Sequence, residues 1–268
     1  MSRLLNTTNR FMEKIMETFD FGDGPVPAHR HKNPDGSEGG WVAETAFVES
    51  TAKVGKDARV FGTAQVYDRA KVYGSARVSG SAQVFSEAKI SGDVQIYGSA
   101  QVSGKAQVFD NAQIFDDAKV FGSAQVFDEA QISGNAHVFD NARVFNSAKV
   151  FCNALISENA QVYNDALVSG ETQVSDFAKV FGDTEISDNA CIFGETHIFD
   201  DARISGDAQV NGNAMVFGKA RVFGNSKIFG NAKVFGNAKV SGDAEIFDDT
   251  EVSGPVLPVC PAPSILGW

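Results

Sequence analysis

The sequence predicts an all-β solenoid, a rod of stacked coils built from a six-residue repeat. Three observations carry that prediction. Every sixth residue from Val42 to Val252 is Val or Ile, which makes 36 consecutive matches. Two residues before each of them, from Val48 onward, stands a small residue, nearly always Ala. No insertion or deletion interrupts the count. A period this strict belongs to an architecture in which each unit packs only on its neighbours. One-dimensional stacking, and not a single globular core, then accounts for the 268 residues.

Composition narrows the function classes. A net charge of −11 argues against a general nucleic-acid-binding surface, because neutralising phosphates needs a basic excess. Cys152, Cys191 and Cys260 lie far apart and form no metal-ligand spacing. An odd set with no framework fits a reducing compartment. No apolar signal-like run opens the chain, and no stretch approaches membrane-spanning length. A cytoplasmic protein outside the membrane is the expectation, and a virion component assembled in a host cytoplasm would share these features.

Residues 1–20 are expected to hold one short amphipathic helix. Leu4, Leu5, Phe11, Met12, Ile15, Met16 and Phe19 recur at helical spacing over residues 3–19. Its expected role is to cover one open end of the stack, or else to dock on a second copy or a partner. Residues 21–41 are dense in Gly, Pro, Asn and Asp and are expected to form a loop. In that loop His29 and His31 stand two apart, a spacing that can share one metal ion. No third ligand stands nearby, so no metal site is expected. Trp41 is expected to seal the first coil.

From 42 to 253 the unit reads Ala-polar-Val, then a residue that is often aromatic, then two corner residues. Ala and Val are two apart, so on a strand they share the inward face while the residue between them points out. Gly62, Gly74, Gly122 or Asp128 supplies the bend. Small Ala fits where the walls of a narrow prism converge, and bulk there should be costly. Val94, Thr172, Thr184, Thr196, Ser226 and Thr250 replace it, all small or β-branched.

An aliphatic residue followed four places later by a small one resembles the hexapeptide-repeat family. That resemblance covers Val42 to Val252. It implies a left-handed parallel β-helix with three hexapeptides per triangular coil, hence about 12 coils and a rod roughly 55 to 60 Å long. The lead-in Gly39-Gly40-Trp41-Val42 also resembles that of uncharacterised bacterial and phage proteins of this kind. Residues 254–268 leave the pattern. Pro255, Pro258, Pro261 and Pro263 should end ladder pairing. The apolar residues among them are expected to fold over the last coil, or to reach a neighbouring subunit.

The residue after each Val or Ile is Phe or Tyr in 21 of 36 units. Sorted by the eighteen-residue coil that the resemblance implies, these fall on three faces. The richest face carries Tyr73, Phe109, Phe127, Phe145, Tyr163, Phe181, Phe199, Phe217 and Phe235, and these nine are the candidate interaction residues. The rings are expected to stack on one another along the rod, to be buried between copies in a dimer or trimer, or to form a platform for ligand rings.

Many hexapeptide-repeat relatives are acyltransferases that use a histidine and a loop leaving the coil, and others resemble a three-histidine zinc enzyme. This repeat carries no inserted loop. His137 and His197 fall on different faces and cannot share a zinc ion. His197 alone is a candidate general base, against the simpler reading of a solvated side chain. The expectation is a non-enzymatic structural or protein-interaction rod that uses no cofactor and pairs with itself or another protein. An acyltransferase with a site between subunits is one alternative. An acidic inhibitor that mimics nucleic acid is another, although interleaved Lys and Arg weaken that mimicry.

Overall fold

Within each unit only two residues run extended before the chain must turn, so the strands are as short as strands can be. The structure is a computed structural model and describes residues 17–256. It contains 36 two-residue strands, β4 to β39, from Phe47–Val48 to Pro255–Val256. From β4 to β36 each strand pairs in parallel with the strand three places on. Gln107 lies on Gln125, and Val108 on Val126, eighteen residues later. The amide of Gln107 donates to Ala124 O at 2.9 Å and that of Phe109 to Val126 O at 3.1 Å. The result is an all-β parallel solenoid with two sheets of twelve strands and one of fifteen.

The inward columns are buried from Ala52 to Val240 and form one continuous core. Val and Ile fill the flat sides, and Ala lies beside the corners. Where Thr172, Thr184 and Ser226 replace Ala, each hydroxyl donates to the carbonyl three residues earlier, at 2.6, 2.7 and 2.7 Å. That contact removes the cost of burying a polar atom at these positions. Thr196 is buried with its hydroxyl unpartnered.

From Gly62 to Asp248 each corner turns on a left-handed residue two places after the aliphatic one, as at Gly122 (φ 70°) and Asp128 (φ 58°). Gly meets this conformation without strain, and Asp and Asn tolerate it. Asp adds a second contribution. Its carboxylate accepts the corner amide one coil further on, from Asp128 to the amide of Asn146 (3.0 Å) and from Asp176 to that of Gly194 (2.8 Å).

The N-terminal region corrects the sequence reading. The expected helix over 3–19 lies outside the described residues up to position 16, and Thr18–Asp20 is strand β1. The expected loop at 21–41 is instead an antiparallel meander of β1, β2 (Pro25–Lys32) and β3 (Glu38–Ala43). Turn chemistry was legible at two points only. Asp20 Oδ1 accepts the amides of Gly22 and Gly24, and Asp35 Oδ1 accepts that of Ser37. Between those turns the open edge of the first coil recruits the chain into a sheet, overriding local Gly and Pro preference.

Trp41 does not plug the core. It sits at an outward position, stacked on Phe19 at 4.8 Å, with the Arg30 guanidinium 4.5 Å from its ring centre. At the other end Pro255–Val256 still pairs, with Pro255 beside Lys239. This revises the expected stop at residue 253. An outward residue donates its amide to the next coil, as Arg221 does to Ala238 O (2.8 Å). Proline lacks that donor, so the last rung is where it is tolerated. The remaining tail lies outside the described residues.

Candidate interaction faces

The fifteen-stranded sheet makes the first face of the rod, and the sheets beginning at β4 (Phe47–Val48) and β5 (Lys53–Val54) make the second and third. The ladder register stacks residues of the same type rung above rung. On the third face, Phe109, Phe127, Phe145, Tyr163, Phe181, Phe199, Phe217 and Phe235 form one unbroken stack. Centroid spacings are 4.8 to 5.2 Å and interplanar angles 1 to 10°. Each ring covers the face of the next, so all eight are half-buried within a single chain. The self-stacked arrangement among the three expected is therefore present. Tyr73, the ninth candidate, is separated from the stack by Ser91 and is 38% exposed.

Shorter stacks occur elsewhere, as at Tyr67–Phe85 and Phe121–Phe139 on the second face and Tyr97–Phe115 on the first. Arg143 lies 5.3 Å from the ring centre of Phe127 and 5.4 Å from that of Phe145, adding cation–π attraction to the long stack. Burial among these rings raises the phenol pKa of Tyr163, and of Tyr67 and Tyr97 as well.

The polar columns are also engaged along the rod. Asn135 donates to Asn153 at 3.1 Å, Asn213 to Asn231 at 3.2 Å, and Asn231 to Asp249 at 3.1 Å. Glu185 pairs with Arg203, Lys227 with Glu245, and Lys233 with Glu251, at 3.1, 3.1 and 2.9 Å. Asp68, Asp116, Asp128, Asp176, Asp188 and Asp200 turn their carboxylates to the corner amide of the next coil rather than stand as a free row. That occupation weakens the comparison with a phosphate ladder.

The histidines separate. His197 lies outward on the third face between Lys179 and Met215, whereas His137 lies on the second between Lys119 and Leu155. Burial, with a smaller contribution from the Lys119 charge, lowers the pKa of His137. His29 Nδ1 faces Glu44 Oε1 at 2.8 Å on the exposed side of the hairpin. His31 is buried and its Nε2 donates to Ala52 O at 3.2 Å. Among the described residues, no group of three His, Cys, Asp or Glu side chains could hold a metal ion. Cys152 is an exposed corner residue, and burial raises the Cys191 thiol pKa.

One set of functional contacts was missed from the sequence, the side chains that finish the first coil. Val54 has no earlier rung. Asn33 Oδ1 accepts its amide at 2.8 Å and Asn33 Nδ2 donates to its carbonyl at 3.2 Å. Arg30 Nη1 donates to Lys56 O at 2.8 Å. The side-chain amide of Asn33 thus stands in for a peptide group. A single Asn two places after His31 carries no periodic signal by which it could have been found.

No helix among the described residues is long and apolar enough to cross a membrane. No curated protein matches the chain. Residues 64–80, 130–144 and 160–176 match the family model described as the YdcK β-solenoid repeat. All three stretches lie within the coils described above, and they make this chain similar to repeat β-solenoid proteins.

Proposed function

We propose that the protein is a non-enzymatic structural or protein-interaction rod that presents long flat faces to a copy of itself or to one partner protein. The observation that supports this reading is the eight-ring stack, together with the Asn contacts and ion pairs that join neighbouring coils. Outward side chains interact mainly with their own counterparts one coil away. A surface organised in this way favours stiffness and flatness over a concave pocket with convergent polar groups. His197, set between Lys179 and Met215, serves as one more rung of that surface rather than as a base.

The competing acyltransferase reading is separated by titrating the full chain with acetyl-coenzyme A while following heat and thiol release. The rod reading expects neither stoichiometric binding nor turnover, and saturable binding at micromolar concentration would overturn it. X-ray scattering should return an elongated particle with a repeating section about 55 to 60 Å long. A spherical scattering profile would count equally against the proposal.

A further inference from the structure

The three faces differ in charge. The outward strand position just before the aliphatic residue is Lys or Arg on six rungs of the first face and on six of the third. On the second it is basic on only two, Lys119 and Lys227. The second face otherwise carries Gln, Phe, His, Leu and Cys at that position, and Glu245 on its last rung. Of the three most exposed large apolar side chains of the described residues, two belong to it and the third stands at its border with the third face. Phe47 (55%) and Phe247 (47%) lie on its strands or next to them, and Phe177 (59%) stands at the corner that ends it.

We infer that the second face is the surface through which two copies of this chain associate, antiparallel about a two-fold axis at mid-rod. This inference rests on the rod reading above and names which face and which partner. Two copies meeting in the same antiparallel way through the first face would set the Arg59 and Arg77 row against Arg221 and Arg203, and through the third would set Lys71 against Lys233; like charges in direct opposition are destabilising. The second face brings no such row. Twelve rungs at about 4.8 Å, and a width of about four extended residues, give a strip of roughly 750 Å² per copy. That is close to the roughly 800 Å² per partner that specific interfaces bury.

Orientation follows from the two lysines. A parallel pair in register sets Lys119 on Lys119 and Lys227 on Lys227. An antiparallel pair sets Lys119 over Gln173 and Lys227 over Gln65, so the cations of the two copies avoid each other. A two-fold contact of this kind is self-complementary and closes at two copies.

The test is the mass of the full chain by light scattering, with three double variants of equal charge change. Gln65→Lys with Gln173→Lys alters the second face, Gln113→Lys with Gln131→Lys the first, and Gln107→Lys with Gln125→Lys the third. The inference expects twice the 28.6 kDa of one chain for the wild type and for the first- and third-face variants. It expects half that mass for the second-face variant. Circular dichroism establishes that each variant folds. Phe177→Asn, which gives the corner the residue found one coil earlier at Asn159, provides a second probe and should raise the dissociation constant at least tenfold. A wild-type mass of one chain would overturn both this inference and self-association in the rod reading. A double mass that falls only when the first or third face is altered would overturn the inference alone. So would a triple mass, or a double mass that no variant changes.

Discussion

In the middle of the rod, Val108 lies between Ile90 and Val126, and its strand pairs on both sides with strands of the same kind, each eighteen residues away. At the N-terminal end, Val54 has a rung on one side only. There the chain uses unlike parts: an antiparallel meander along the first face, and the side chains of Arg30, His31 and Asn33 along the third. The comparison shows what repetition achieves and where it fails. A repeat satisfies its own interior at no cost in sequence variety. Its ends expose edges that only non-repeating residues can close.

Core substitutions should separate centre from end most strongly. Ile132→Ala removes a fully buried side chain between complete coils and should cost about 3 kcal/mol. Ile246, in the last coil and 7% exposed, has fewer groups above it, so Ile246→Ala should cost about 1 kcal/mol. Urea unfolding read by hydrogen exchange would measure both. Equal losses would mean that the last coil is as well covered as the sixth.

The cap itself is the next largest effect. Asn33→Leu deletes both bonds to Val54 and should cost about 2 kcal/mol. Exchange protection should fall at the Val54 amide and remain unchanged near Val144, because stacked repeats communicate only with neighbours. A uniform loss along the rod would show that the cap nucleates the whole stack.

The corners offer a smaller and more chemical contrast. Asp128 both occupies a left-handed conformation and accepts the amide of Asn146 at 3.0 Å and its side-chain amide at 2.8 Å. Asp128→Ala loses the acceptor and strains the backbone, for about 2 kcal/mol. Asp128→Gly loses the acceptor and relieves the strain, for about 1 kcal/mol. Thermal melts of the two variants would assign the corner preference to backbone, to carboxylate, or to both.

Legibility followed the same division. The core columns and the corners could be placed from sequence because each signal recurs dozens of times, and an error at Thr184 or Ser226 is outvoted by its neighbours; the three-unit coil came from the family resemblance and not from the period. The region of residues 21–41 occurs once. Its Gly22, Gly24 and Gly36 mark real turns. The strands between them form because the edge at Val42 and Val54 needs partners, and that need is tertiary. Even Gly39 and Gly40, readable as loop, are required for close approach. A Cβ on Gly40 would lie 2.0 Å from Ala58 O, and one on Gly39 2.5 Å from Val54 O. The aromatic position was legible as a column, while the ring-on-ring geometry depended on the register and the parallel ladder.

Acid should act on the two regions with opposite signs. Burial holds the His31 pKa below the ordinary value, outweighing the bond to Ala52, and the nearby His29 charge lowers it further. The unfolded chain therefore binds a proton at this position more readily than the folded one. The cap's stability is fully present above the unfolded histidine pKa of about 6.5 and is lost as pH falls below it. Glu158 behaves in reverse. The hydrogen bond and charge of Asp176, with the Asp140 charge, raise its carboxyl pKa. The folded state then binds the proton more readily. This contribution is complete below the unfolded glutamate pKa and disappears as pH rises through the raised value. Between pH 7 and pH 5, and relative to the intrinsic exchange rate at each pH, protection should fall at the Val54 amide and rise at the corner amides beside Glu158. Glu158→Gln should flatten the second response and leave the first intact, whereas His31→Gln should do the opposite. A common pH response at both places would mean that cap and coil open together, and the rod would then have to be treated as one cooperative unit.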